Sequence, residues 1–156
     1  MKRRLATFGI ALTLVASASM AEDGPHDAAI EARQAMFQLY GYHFGILSDM
    51  AKEKRDYDAA LAAEAADNLD AVTRLGQGSF WPQGSDSETD GNARNRALPA
   101  IWSDYPDIEE KAAALKEASE ALVSAAGTDL DALQGAIGPV GNACKGCHDD
   151  YRAERK

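Results

Sequence analysis

Cysteine is scarce in this chain: two residues in 156, Cys144 and Cys147. A disulfide-rich scaffold and a four-cysteine metal site are both excluded by that count. Positive charge is also short, with 16 Lys and Arg against 25 Asp and Glu, a formal net charge of −9. Three of the basic residues, Lys2, Arg3 and Arg4, lie in the first 21 positions, which hold no acid. Residues 22–156 therefore set 13 basic against 25 acidic side chains, a net −12. Such a surface does not suit nucleic acid, which selects a basic face, or an anionic membrane. Long apolar runs are absent beyond the first 21 residues, and no alternating strand pattern competes for any segment.

The apolar run that does exist, Leu5 to Val15, follows the Lys2-Arg3-Arg4 cluster and precedes Ser19-Met20-Ala21. A positive start, a short apolar middle and small residues at the cleavage-determining positions read as a secretory signal over residues 1–21. The run is too short to span a bilayer comfortably. The expected mature domain is 22–156, located outside the cytoplasm and, in a bacterium, in the periplasm.

Four helical stretches follow from periodicity. In the first, Ile30, Phe37, Phe44 and Ala51 recur every seventh position with Arg33, Tyr40 and Leu47 between them. The second opens at Asp56-Tyr57-Asp58, presents Leu61, Ala65, Leu69, Val72 and Leu75, and stops at Gly76. The third starts at Ser103-Asp104-Tyr105-Pro106, buries Ile108, Ala112, Leu115, Leu122 and Ala126, and stops at Gly127. The fourth starts at Thr128-Asp129 and carries Leu130, Leu133, Ile137, Val140, Cys144, Cys147 and Tyr151 on one side, with Pro139 expected to kink it or remove a hydrogen bond. Short connections join the first pair and the second pair, whereas Gln77 to Trp102 is a long, polar stretch containing Phe80, Trp81 and Pro82. The expected fold is all-α, an antiparallel four-helix bundle with one long crossover loop.

Chemistry concentrates in Cys144-Lys145-Gly146-Cys147-His148, a C-x-x-C-H motif. Two thiols three apart on a helix can each add to a vinyl group of one haem, and the adjacent imidazole can reach the iron, so attachment and axial ligation come from one rigid turn. Rival uses of these residues are an exported dithiol oxidoreductase, which belongs at a strand end in a βαβ unit, and a zinc site, for which only His26 and His43 remain as nitrogen donors.

The tail Val140-Gly141-Asn142-Ala143-Cys144-Lys145-Gly146-Cys147-His148-Asp149-Asp150-Tyr151-Arg152 resembles the C-terminal end of cytochrome c′, the class II c-type cytochromes. The likeness extends to Ala32-Arg33-Gln34, Tyr57-Asp58 and Ile101-Trp102-Ser103-Asp104. It implies one covalent haem c on a four-helix bundle, commonly a homodimer, with His148 on the iron and a five-coordinate centre that binds nitric oxide and carbon monoxide. It also implies that Phe37, four residues after Arg33, covers the distal face, where low-spin relatives place a methionine. In this register Met36 is one residue off and packs between helices; a six-coordinate electron carrier using Met36 is the rival reading. Arg33, with Gln34 assisting, is the implied partner of a haem propionate, and Arg152 lies beside the proximal imidazole. Phe80 resembles the aromatic that closes the pocket from the crossover loop. Where the family often has an acidic or hydroxyl residue before the Ile-Trp pair, this chain has Arg94, Asn95 and Arg96, and Arg96 becomes a candidate for a propionate.

Overall fold

The computed structural model describes residues 24–90 and 95–154. The signal reading for residues 1–21 and the side chain of Arg94 fall outside those residues. Among the described residues five α-helices follow in order: α1 (Asp27–Ala51), α2 (Ala59–Thr73), α3 (Ala100–Ser103), α4 (Tyr105–Ala126) and α5 (Leu130–Tyr151), with a 3-10 turn at Gly78–Phe80. Helices α1, α2, α4 and α5 are the four expected ones. The short α3 and the 3-10 turn lie inside the crossover. Among the described residues the one β pairing is an isolated bridge between Ala97 and Arg152.

Local chemistry explains the helix starts. Asp58 caps α2, its Oδ1 accepting from the Leu61 N–H at 3.0 Å. Asp129 caps α5 in the same way through the Ala132 N–H at 2.8 Å. Each satisfies a donor that the first turn leaves without a partner. Pro106 sits in the first turn of α4, where no intrahelical N–H is required. Pro139 lies inside α5 without ending it. The carbonyl it cannot satisfy is that of Gly135, and both residues are exposed, so water can serve that oxygen.

Packing joins α1 to α2 and α5, and α4 to α2 and α5, which closes a four-helix ring. The main core holds Met36, Tyr40, Leu47 and Met50 of α1, Ala62, Ala65, Ala66 and Leu69 of α2, Leu122 and Ala126 of α4, and Leu133 and Val140 of α5. The small residues of α2 permit close approach by its neighbours. A second, smaller cluster forms beside it from Ala97, Ile101 and Tyr151, with Trp81, Trp102, Ile108 and Cys147 packed on it.

Three parts of the sequence reading are corrected. The buried line of α1 runs through Ile30, Arg33, Met36, Tyr40, Leu47 and Met50, so the helix is rotated from the Phe37–Phe44 axis, and Phe37 is 41% exposed. Helix α2 ends at Thr73, and Leu75 beyond it is exposed. In α4, Ala112 is exposed, and the buried side is Ala118, Ser119, Leu122 and Ala126.

Candidate haem site

The last turns of α5 place the two thiols against different parts of the interior. Cys144 packs on the main core and Cys147 on the second cluster, and both are half-buried and unlinked by a disulfide. Burial raises both thiols above the ordinary cysteine range. Thiol–disulfide catalysis needs the opposite shift, toward thiolate, so the geometry does not favour the dithiol reading.

His148, the next residue, is half-buried. Burial chiefly, then the positive charges of Arg152 and Arg96, hold its imidazole below the ordinary histidine value, while Asp149 opposes them. A neutral imidazole is the form that ligates a metal. The end of α5 is fastened to the end of the crossover. The Leu98 N–H donates to the Tyr151 carbonyl at 3.0 Å, and the Ala153 N–H donates to the Arg96 carbonyl at 2.9 Å. Tyr151 Oη donates to Asp107 Oδ2 at 2.6 Å, which ties the same turn to α4.

An aromatic chain runs beside this turn. Phe37 meets Tyr40 edge-on at 5.7 Å between centroids and Trp81 at 6.1 Å, and Trp81 meets Trp102 at 6.2 Å. Trp102 Nε1 donates to the Trp81 carbonyl at 3.0 Å. Tyr40 Oη donates to the Val72 carbonyl at 3.2 Å and accepts from Gln77 Nε2 at 3.3 Å. The rings therefore come from α1, the crossover and α3, and the Tyr40 hydroxyl and the Trp102 indole N–H are satisfied locally.

Two arginines named by the resemblance make contacts within the protein. Arg33, 3% exposed, directs its terminal N–H groups into the crossover: Nη1 to the Phe80 carbonyl (3.1 Å) and Ser85 Oγ (2.7 Å), Nη2 to the Ser85 carbonyl and Asn95 Oδ1 (2.8 Å). All four terminal donors of Arg33 are engaged there. Arg96 gives Nε to the Ala153 carbonyl at 2.7 Å and Nη2 to the same oxygen, again a contact within the protein. Gln34 is half-buried next to Arg33, and Arg152 is exposed at the end of α5, with its backbone N–H donating to the His148 carbonyl at 3.3 Å. Phe80 is half-buried against the main core. The sequence reading did not single out Trp81, Ser85 and Asn95 as site-forming. A Phe-Trp-Pro run in an otherwise polar loop was the available signal for the first.

Among the described residues no group of three or more His, Cys, Asp and Glu side chains could hold a metal ion, so the zinc reading finds no ligand set. The residues fit a macrocycle instead. Two protonated thiols a turn apart, an adjoining neutral imidazole and an aromatic wall offer attachment, an axial donor and apolar cover. Fold and site define a class: a four-helix bundle built to carry a covalent c-type haem at its C-terminal helix.

Comparison with known proteins places the chain within that class. The profile of the cytochrome c′ family matches residues 28–152. A cytochrome c-554 of Cereibacter sphaeroides is 38% identical over 152 residues, covering 96% of this chain and 97% of the relative. A cytochrome c′ of the same species is 39% identical over 140 residues, covering 89% and 91%. The solved cytochrome c′ of Rhodobacter sphaeroides aligns with a TM-score of 0.80 at 36% identity, covering 83% of this chain and 98% of the other. Alcaligenes xylosoxidans cytochrome c′ variants have been solved with carbon monoxide and with nitric oxide, at 33% identity and TM-scores of 0.70 and 0.69; the chain covers all of each, matched over 85% and 86% of its own length. Another cytochrome c′ structure, 30% identical with a TM-score of 0.73 and covering 86% of this chain and 100% of the other, is of a dimer whose dissociation a ligand controls. The chain belongs to the cytochrome c′ family. Its cofactor is haem c, attached through Cys144 and Cys147.

Proposed function

We propose that this chain is an exported, periplasmic gas-binding cytochrome, with residues 1–21 removed and residues 22–156 forming a homodimeric haem domain. His148 is the only protein ligand to the iron. The haem supplies a one-electron couple and an open coordination position for a neutral diatomic, nitric oxide or carbon monoxide. Burial first, then Arg152 and Arg96, favour the neutral form of the His148 imidazole. Phe37 stands over the open side and offers neither a bond to iron nor a hydrogen bond to a polar ligand. Relatives solved with these two gases support the ligand class.

The observation that carries the reading is the contrast between two neighbours. Met36 is 3% exposed inside the main core, whereas Phe37 is 41% exposed and reaches toward Trp81. The thioether next to the expected distal position, that of Met36, is thus engaged in helix packing, which speaks against the electron carrier with Met36 as ligand.

Absorption spectra of the purified ferric and ferrous protein test this, followed by titration of the ferrous form with nitric oxide and carbon monoxide. High-spin spectra and binding of both gases are expected, unchanged in form in Met36→Ala. A low-spin, six-coordinate spectrum that Met36→Ala abolishes would establish the carrier instead.

A further inference from the structure

We infer that Arg33 is a latch for the crossover loop, holding Trp81 behind Phe37 so that the loop narrows the approach to the iron and selects ligands by size. The inference rests on the gas-binding reading above and assigns its selectivity to a residue that touches neither iron nor gas.

The geometry is specific. Arg33 lies one turn before Phe37 on α1. Its acceptors are Phe80, Ser85 and Asn95, which bracket the loop at both ends. Asn95 Nδ2 donates in turn to the Ser85 carbonyl at 2.9 Å, closing the loop on itself. The Arg33 guanidinium carbon stands 4.7 Å from the centroid of the Trp81 ring, and that ring lies 6.1 Å from Phe37. One cation therefore fixes the loop backbone and the ring that backs the distal residue. A planar fork with a stackable face does both at once; an ammonium group does not.

A buried charge needs compensation. Here burial acts against the charged form and holds the guanidinium below its ordinary value, and the carboxylates of Asp90 and Asp86 offset part of that. Asp86 is itself held in place by the Glu88 and Thr89 N–H groups at 2.9 and 2.8 Å. The latch is thus a local assembly of α1 and the loop that engages every terminal donor of Arg33.

The test uses the haem-loaded protein and two substitutions, Arg33→Lys and Trp81→Leu. Association of the ferrous forms with carbon monoxide and with n-butyl isocyanide, a bulkier neutral ligand, is followed by flash photolysis. Hydrogen exchange of loop amides 85–90 and 95–98 is measured in parallel. Both variants are expected to raise the isocyanide rate relative to the carbon monoxide rate by about tenfold, and Arg33→Lys to speed loop exchange. Trp81→Leu keeps the guanidinium with its hydrogen bonds to the loop and removes the ring behind Phe37, so its effect reads that ring, and it decides the matter if Arg33→Lys does not fold. An unchanged rate ratio in Trp81→Leu overturns the latch while leaving gas binding intact. A six-coordinate spectrum of the unsubstituted protein overturns the gas-binding reading and the latch together.

Discussion

Met36 and Phe37 are chain neighbours about 100° apart around α1, so the helix can bury only one of them deeply. It buries Met36 among Tyr40, Leu47 and the facing helices, and turns Phe37 toward the crossover. The consequence is energetic as well as functional: Met36→Ala leaves a hole in a close-packed interior and is expected to lower stability by about 2–5 kcal/mol, read from urea denaturation of the haem-loaded protein. Tyr40 makes a second prediction at this scale. Burial pushes its phenol up to about 12, with the Gln77 hydrogen bond opposing. The unfolded chain ionises this group near 10, so above that pH the unfolded state releases a proton that the folded state retains. The stabilisation is complete below pH 10 and is lost as pH rises toward 12. Urea midpoints taken from pH 9 to 12 should fall more steeply in the unsubstituted protein than in Tyr40→Phe, and parallel slopes would refute the assignment.

At the scale of helices, what could be read in advance was what local chemistry writes. Asp58 and Asp129 announced their helices because an N-cap needs only the next three residues. The C-x-x-C-H motif was legible for the same reason, since its five residues share one turn. The loop contacts of Arg33 were not legible. Its partners lie 47 to 62 positions away, and only the folded crossover brings them to it. The rotation of α1 was missed because Phe37 and Phe44 look like core residues by composition, while Met36 and Met50 are what the facing helices receive. The stop at Gly127 was legible as a position, but its reason is a neighbour. Its φ is −90°, open to any residue, yet a Cβ there would lie 2.9 Å from the Ala63 Cβ and 3.4 Å from the Ala59 carbonyl. Gly127→Ala must push α4 off α2, because neither obstacle is a flexible side-chain tip. A loss of about 1–3 kcal/mol is expected, seen as a lower thermal midpoint with haem attachment retained.

For the whole molecule, the two attachment points divide between two interiors. Cys144 belongs to the core that all four long helices share, and Cys147 to the cluster of α3, Trp81, Trp102 and the end of α5. The main core draws on every pair of neighbouring helices, so its apolar burial does not depend on the crossover. The smaller cluster has three buried members among the described residues and is held by the Leu98–Tyr151 and Arg96–Ala153 contacts. A cofactor joined to both thiols adds apolar contact where the two interiors meet, and its loss falls on the weaker one. The double variant Cys144→Ala, Cys147→Ala, produced without haem, is therefore expected to lose stability on the order of 5 kcal/mol, and to lose it unevenly. Hydrogen exchange should accelerate across residues 78–90 and 95–103, while the buried turns of α1 and α2 around Leu47 and Leu69 stay protected. Exchange that rises equally in all helices would show instead that the bundle and its crossover form one cooperative unit with the cofactor, and that the division into two interiors has no energetic meaning.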